Sequence, residues 1–405
     1  MQIESLKIKN FKALKNVELT QLSALSVFIG ANGSGKSTLF DVFGFLSDAL
    51  QGNVTQALSR RGGYKEVISR NSDGTIAFEI KFRDSNSTTI GNKAPLVTYR
   101  LEVGIDSQNR PVVEREVLKY RRGQRGAPWV FLDFTRGRGV AIKNEADYGQ
   151  TDAKMEREEQ QLDSADILAI KGLGQFQRFK QVASFRRLIE DWHVSDFHIS
   201  EARPSQDTGY AEHLSTRGDN AALVAQYMFM NHKAAFEQVL LKMKRRVPGI
   251  ETVDAAETTD GRIVLRFQDG AFKDPFIARY VSDGTIKMFV YLLLLHDSKP
   301  HPLLCVEEPE NQLHPELLLE LSEEFREYAN RGGQVMVSTH SPDFLNGIRL
   351  SELFWLVKKD GYTEIKRAAD DLQIKALLEA GDQLGELWKQ GLFAGESPIR
   401  HSRKK

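Results

Sequence analysis

Residues 27–38 read VFIGANGSGKST, and the reading of this stretch decides the fold. An apolar strand, VFI, runs into GANGSGKS at 30–37, which matches G-x-x-x-x-G-K-[ST] and opens an amphipathic helix at Ser37. Glycines at 30, 33 and 35 let the backbone curl so that successive N–H groups face a phosphate, with the helix N-terminus adding positive potential. The expected nucleotide-binding set is Gly30, Asn32, Gly33, Ser34, Gly35, Lys36, Ser37 and Thr38. Lys36 would reach the β- and γ-phosphate oxygens, and Ser37 would hold Mg²⁺. A glycine-rich turn with an incidental lysine would leave the agreement of strand, loop and helix unexplained.

A phosphate loop needs an acidic strand end. LLCVEEPE (303–310) places Glu307 and Glu308 after four apolar residues, at the C-terminal end of an expected parallel strand, where such sheets bind ligands. Glu307 is the expected metal partner with Ser37, and Glu308 the expected general base for the attacking water. The usual first acid is Asp, and Glu307 is one methylene longer. QVMVSTHSP (334–342) is a second apolar strand, ending on His340, which is placed to sense the γ-phosphate. YVSDGTIKM (280–288) reads two ways: as a turn and N-cap ahead of an apolar helix, or as a signature loop completing the active site of a second copy.

Composition sets the class. The chain has 405 residues, with 41% hydrophobic and 27% charged content and 55 charges of each sign. Net charge is zero, which removes a global electrostatic argument for nucleic acid but not a local one. The single cysteine, Cys305, rules out an intramolecular disulfide framework and fits a reducing compartment. MQIESLKIKNFKAL alternates like a strand, with no apolar secretory core, and MFVYLLLL (288–295) is too short to span a bilayer. A cytoplasmic protein without a membrane segment is expected.

Strand-like runs at 75–82, 96–105, 111–120 and 127–134, separated by Asp/Ser/Gly turns, predict antiparallel pairing. Residues 145–163 are polar and read as an exposed excursion. Strand and helix alternate from 276 onward, predicting a mostly parallel α/β core. The expected division is 1–90 for the N-terminal part of an ATPase head, 91–215 for inserted strands and helices, and 216–275 for a helical arm with a strand pair. The C-terminal part of the head would occupy 276–369, and helices with a basic tail 370–405.

Ser282 lies 25 residues before Glu307, and His340 33 residues after it. Phosphate loop, SDG loop, double acid and strand-end histidine, in that order, resemble ATP-binding-cassette ATPases of the soluble branch, similar to SMC, RecF and OLD-family proteins. SLKIKNFKALKNVEL, FIGANGSGKST, LSTRGDNAALV, VSDGTIKM, VEEPENQLHPE and VSTHSP carry the resemblance, over 1–50 and about 210–350. DQLGELWKQGLFAG further resembles the tails of stand-alone OLD-like AAA-type ATPases of bacterial anti-phage defence operons.

The resemblance implies an α/β fold: an ABC-type P-loop ATPase head, mostly parallel sheet plus an antiparallel part, with an inserted mixed β-hairpin and helical region. It implies ATP and Mg²⁺ as cofactors, hydrolysis to ADP and phosphate, and a nucleotide sandwich in which Ser282 and Gly284 face the γ-phosphate of a second protomer. The catalytic set it implies is Lys36, Glu308 and His340. Lys12 matches a basic residue near the nucleotide, and 311–314 a loop at the dimer interface. The lid glutamine stays unplaced, Gln56 being the nearest polar candidate.

Only about 65 residues follow His340, too few for a Toprim nuclease domain, and Asp370, Asp371 and Asp382 read as caps and solvated faces. The expected output is therefore control of a separately encoded effector, a nuclease or toxin, by a homodimer or higher assembly. The alternative is an ATP-dependent DNA clamp of RecF type, gripping phosphates through Arg121, Arg122 and Arg125, through RGR (136–138) or through KMKRR (242–246). A scaffold binding ATP without useful turnover is a third reading. His193 and His198 lack cysteines and acids at zinc-ligand spacing, so no zinc site is expected there.

Overall fold

A bulge sets the phase of the first strand. Ile3 is buried at an odd position and Leu6 and Ile8 at even ones, because the pairing register shifts between Ile3 and Ser5. The computed structural model describes residues 2–83, 96–120, 128–145, 154–195, 197 and 199–393. These residues divide into two units. The first holds the described residues of Met1–Trp192, Ser351–Leu372 and Phe393–Lys405; the second holds His193–Leu350 and Gln373–Leu392.

In the first unit an antiparallel sheet runs, strand beside strand, through Leu14–Thr20, Gln2–Phe11, Ile76–Arg83, Leu96–Ile105, Pro111–Tyr120, Trp129–Thr135, Arg138–Ile142 and Arg157–Gln161. Ile76, Phe78, Ile80 and Phe82 are all buried and alternate with the half-exposed Ala77, Glu79, Lys81 and Arg83, the period of a half-covered strand. The strand Arg157–Gln161 corrects the expectation of an exposed excursion over 145–163. REEQQ has no apolar residue to mark it, but as the last strand of the sheet it needs none, and its backbone pairs with Arg138–Ile142. The described part of the excursion is therefore partly sheet.

Beside this sheet, Leu25–Gly30 pairs in parallel with Leu353–Lys359, which pairs antiparallel with Tyr362–Arg367. The helix Lys36–Gln51 is buried on two sides. Phe45 meets Phe11 at 5.7 Å and Phe78 at 5.5 Å from the antiparallel sheet, and Phe40 meets Phe28 of the parallel pair at 6.1 Å. Enclosure from both sides explains why six of its residues from Leu39 to Leu46 are apolar and buried.

In the second unit His193–Ser195, Leu303–Glu307 and Gln334–Ser338 form a parallel set. The helix Asp283–Leu295 is buried from Ile286 to Leu295, which confirms MFVYLLLL as a core helix. Ile250–Glu257 and Arg262–Asp269 form the expected hairpin, joined by Gln206–Asp207 and Phe276–Ile277. The mostly parallel α/β part and the antiparallel part agree with the expected fold class. Among the described residues no helix is long and apolar enough to cross a membrane.

Candidate active site

The first unit supplies the phosphate loop. Leu25–Gly30 is wholly buried and ends at the loop, whose turn is closed by Ser34 N–H donating to the Ala31 carbonyl at 3.0 Å. Gly35 caps the following helix at φ +106°, and Gly33 lies at φ +75°, both left-handed conformations that favour glycine. Space is as limiting as conformation. A Cβ at Gly35 would run into the Thr363 hydroxyl, which donates to the Ser34 carbonyl at 2.7 Å, and one at Gly30 would lie 2.5 Å from Ser34 Oγ. The Lys36 side chain folds back over the loop, its Nζ donating to the Gly30 carbonyl at 2.9 Å and reaching Ala31 at 3.4 Å. Asn32, Gly33 and Ser37 are exposed, Thr38 is half-buried, and the buried Ser34 Oγ has no hydrogen-bond partner among the described residues.

Asn10 and Lys12 both adopt positive φ, 56° and 48°, so the turn around them inserts Phe11 into the core. That gives the Asn-Phe-Lys stretch a structural reason. Lys12 Nζ lies 2.6 Å from Asp41, one turn into the phosphate-loop helix, and Arg61 shares that carboxylate at 2.7 Å. Gln56 sits by Gly52, at the far end of the same helix, about 24 Å along its axis from the loop. That position excludes the lid role left open for it.

The second unit gathers the acids. Glu307 ends its strand opposite Ser338 in the parallel register. Glu308 follows with φ +44°, a conformation that costs a non-glycine residue energy and here turns the chain out of the strand. Its N–H donates to Ser338 O at 2.9 Å, Oε2 accepts from Asn311 at 3.1 Å, and Oε1 lies 3.3 Å from His340 Nε2. Glu310 accepts from the Thr339 hydroxyl at 2.9 Å and from the His340 N–H at 2.6 Å. The two strand ends are thus laced together, and the acid and the histidine face one another.

Ser282 caps the helix Asp283–Leu295, its hydroxyl accepting from Thr285 N–H at 3.3 Å, so the turn-and-cap reading describes its local geometry correctly. Ser282 and Asp283 are also exposed, and Arg203 pairs with Asp283. Gly284 is required by approach: a Cβ there would lie 2.7 Å from the Gln312 carbonyl. Lys287, one turn further, donates to the Asn311 carbonyl at 2.7 Å, and burial lowers its ammonium to about 8. Ser282, Gly284, Glu307, Glu308 and His340 are therefore linked through the loop 308–313.

Three supporting residues escaped the sequence reading. Glu310 was passed over because a third acid after a double acid carries no pattern of its own. Trp388 donates its indole N–H to the His340 carbonyl at 3.2 Å, and Gly385 packs on the Pro342 carbonyl while its N–H donates to Asn346 at 2.9 Å. The LGELW tail thus braces the histidine, and its tryptophan and glycine in a short polar helix were the available signal. The basic groups look different in three dimensions. Arg136 is bound to Glu114 at 2.9 Å, Lys242 to Glu324 at 2.6 Å, and Arg246 to Glu320 and Glu324 at 2.6 Å. Lys242 and Arg246 are thus largely enclosed by their acids, whereas Arg136, Arg138, Lys244 and Arg245 remain at the surface. Arg121, Arg122 and Arg125 lie outside the described residues.

The phosphate loop, the double acid at a parallel strand end and the facing histidine define an ABC-type P-loop ATPase head. A family described as "AAA domain, putative AbiEii toxin, Type IV TA system" matches residues 127–346, more than half of the chain, and the chain belongs to it. A second family, "AAA ATPase domain", matches residues 1–190. The protein is an ATPase. The structure is similar to that of an SMC head bound to the C-winged helix domain of ScpA, with a TM-score of 0.55 and 14% identity over 90% of this chain and 97% of that one. A second similar structure is the Smc head with an extended coiled coil bound to the C-terminal domain of ScpA, derived from Pyrococcus furiosus. There the TM-score is 0.51 and the identity 14%, over 94% of this chain and 99% of that one. At such identity the likeness is one of fold.

Proposed function

We propose that the protein is a switch: it binds MgATP, closes as a homodimer or within a larger assembly, reopens on hydrolysis, and controls a separately encoded nuclease or toxin in anti-phage defence, in the manner of OLD-like ATPases. The observation that carries the catalytic part is Glu308, held at φ +44° with Oε1 3.3 Å from His340 Nε2. A carboxylate aimed at an imidazole from a strained backbone position at two strand ends suits a base that takes a proton from water. The loop fits a nucleotide too. Gly33 and Gly35 hold left-handed conformations that keep the loop curled, and the Lys36 ammonium rests on backbone carbonyls that phosphate oxygens can replace. Ser37 and Glu307 would hold Mg²⁺, which when bound offsets the charge of the transferring phosphoryl group.

In this reading His340 holds Glu308 in position and senses the γ-phosphate, while Lys12 acts through Asp41 on the phosphate-loop helix. Ser282 and Gly284, at an exposed helix start, would meet the nucleotide of a second copy, where the positive end of the helix favours an anion. That a family name includes a toxin, and that SMC heads have been crystallised with a partner protein, supports an effector read out by docking.

The test is solution mass of Glu308→Gln with and without MgATP, beside Ser282→Arg, with turnover of the wild type for reference. Glu308→Gln should lower turnover at least about 100-fold and trap an ATP-dependent dimer that Ser282→Arg abolishes. A mass indifferent to ATP, or normal assembly of Ser282→Arg, overturns the shared site. Equal turnover of Glu308→Gln and wild type overturns Glu308 as base.

A further inference from the structure

We propose that His213, Asp297 and His301, backed by His193, form a binding site for a divalent transition-metal ion, and that the ion their donors suit best is Zn²⁺. One ligand atom from each of His213, Asp297 and His301 lies within 4.8 Å of the other two. Asp297 and His301 stand four apart in the loop between the helix Asp283–Leu295 and the strand Leu303–Glu307, and His213 comes from the segment before the helix Ala221–Asn231. His193 opens the strand that pairs with Leu303–Glu307, opposite Leu304.

The cluster is held in place from outside. Asp297 Oδ1 accepts from Lys299 N–H at 2.9 Å, so its Oδ2 is turned to His213 Nδ1, 2.6 Å away. The His301 N–H donates to the Tyr328 hydroxyl at 2.6 Å, which fixes the backbone beneath its ring. The His301 ring stacks on that of His193 at 4.8 Å and lies 5.4 Å from that of His213. His193 is 5% exposed, and its Nε2 has no hydrogen-bond partner among the described residues. Buried imidazole nitrogens are normally satisfied, so this one marks a polar gap behind the His301 ring, next to the proposed site.

Imidazole nitrogens with one carboxylate oxygen are donors of borderline softness, which suit zinc and its neighbours over calcium or magnesium. Bonds of 2.0–2.2 Å put tetrahedral ligand atoms about 3.4 Å apart. The wider pairs, at most 4.8 Å apart, must then close by up to about 1.4 Å, and the His213–Asp297 contact must open by about 0.8 Å as metal replaces the shared proton. The site lies at the start of Leu303–Glu307, about 13 Å along the strand from the acidic end, so the ion would brace the second unit rather than join the reaction. It also replaces the expectation that His193 has no part in a zinc site. Its partners come from 213, 297 and 301, too far along the chain for any local spacing to mark them.

The metal-free alternative is a His213–Asp297 ion pair under a stack of imidazoles, and the two give opposite results. Full-length protein, stripped with a chelator and kept free of nucleotide, is titrated with Zn²⁺ against a colorimetric competitor and with Co²⁺ by visible absorption. The expected result is one Zn²⁺ per chain and a Co²⁺ ligand-field band. Both should be weakened at least tenfold in His213→Ala and His301→Ala and unchanged in Ser37→Ala. Zn²⁺ bound equally by wild type and His213→Ala, or not bound at equimolar micromolar concentration, overturns the site. Should His301→Ala fail to fold, His213→Ala decides alone, because its side chain is 38% exposed and carries little of the core.

Discussion

Replacing Glu116 with glutamine would measure how the first unit supports its phosphate-loop helix. Glu116 is fully buried, and its carboxylate accepts from the N–H groups of Ala169 and Ile170, the latter at 3.0 Å, and from the Tyr99 hydroxyl at 3.1 Å. Those amides open the helix Ala169–Leu173. Its Lys171 donates to the carbonyls of Gln51 and Gly52, at 2.8 and 2.6 Å, at the end of the phosphate-loop helix. Burial and the three donors act in opposite directions, and burial wins: the carboxyl is raised from 4.5 to about 7. A raised acid favours the folded state where it is protonated, so its contribution is complete below pH 4.5 and is lost as pH climbs through 7. The difference of about 2.5, at 1.36 kcal/mol each, is about 3 kcal/mol.

Urea unfolding of wild type and Glu116→Gln at pH 5, 6, 7 and 8 reads this out. The lost hydrogen-bond acceptor shifts the variant by a constant, whereas titration of Glu116 appears only in the wild type. The stability difference between the two proteins should therefore move by about 2.5 kcal/mol between pH 5 and 8, against the wild type at the higher pH. A difference that stays flat across this range would mean that the three donors keep Glu116 ionised at pH 5, and the argument that burial dominates would be refuted.

Gly35→Ala places a side chain at φ +106° against Thr363, and should lower stability by about 2 kcal/mol and weaken binding of a fluorescent ATP analogue at least tenfold. Gly284→Ala pushes a methyl group to 2.7 Å from the Gln312 carbonyl and displaces the loop that carries Asn311; turnover should fall while nucleotide binding is kept, as steady-state kinetics beside analogue titration will show. Trp388→Phe removes the donor to the His340 carbonyl, a loss of about 1 kcal/mol, and should lower kcat severalfold with KM for ATP unchanged; an unaltered kcat would show that the tail does not position His340.

What the sequence determined by itself is local. A glycine loop between an apolar strand and an amphipathic helix specifies its own backbone, because φ preference and hydrophobic period act over a few residues, and Lys36–Gln51 forms where the motif placed it. Leu303–Glu307 and Gln334–Ser338 were legible for the same reason: a short apolar run ending in charge is a buried strand reaching the surface. Arg157–Gln161 was not legible, since an edge strand is defined by its neighbour's unpaired backbone and not by its own side chains.

Only the tertiary structure decided the contacts that tune these parts. Glu116 meets amides more than 50 residues away, Trp388 reaches back 48 residues to His340, and His193 finds His301 across more than 100. Buried polar groups must be satisfied wherever the fold brings a partner. Nothing in the spacing of the residues along the chain announces which partner that will be.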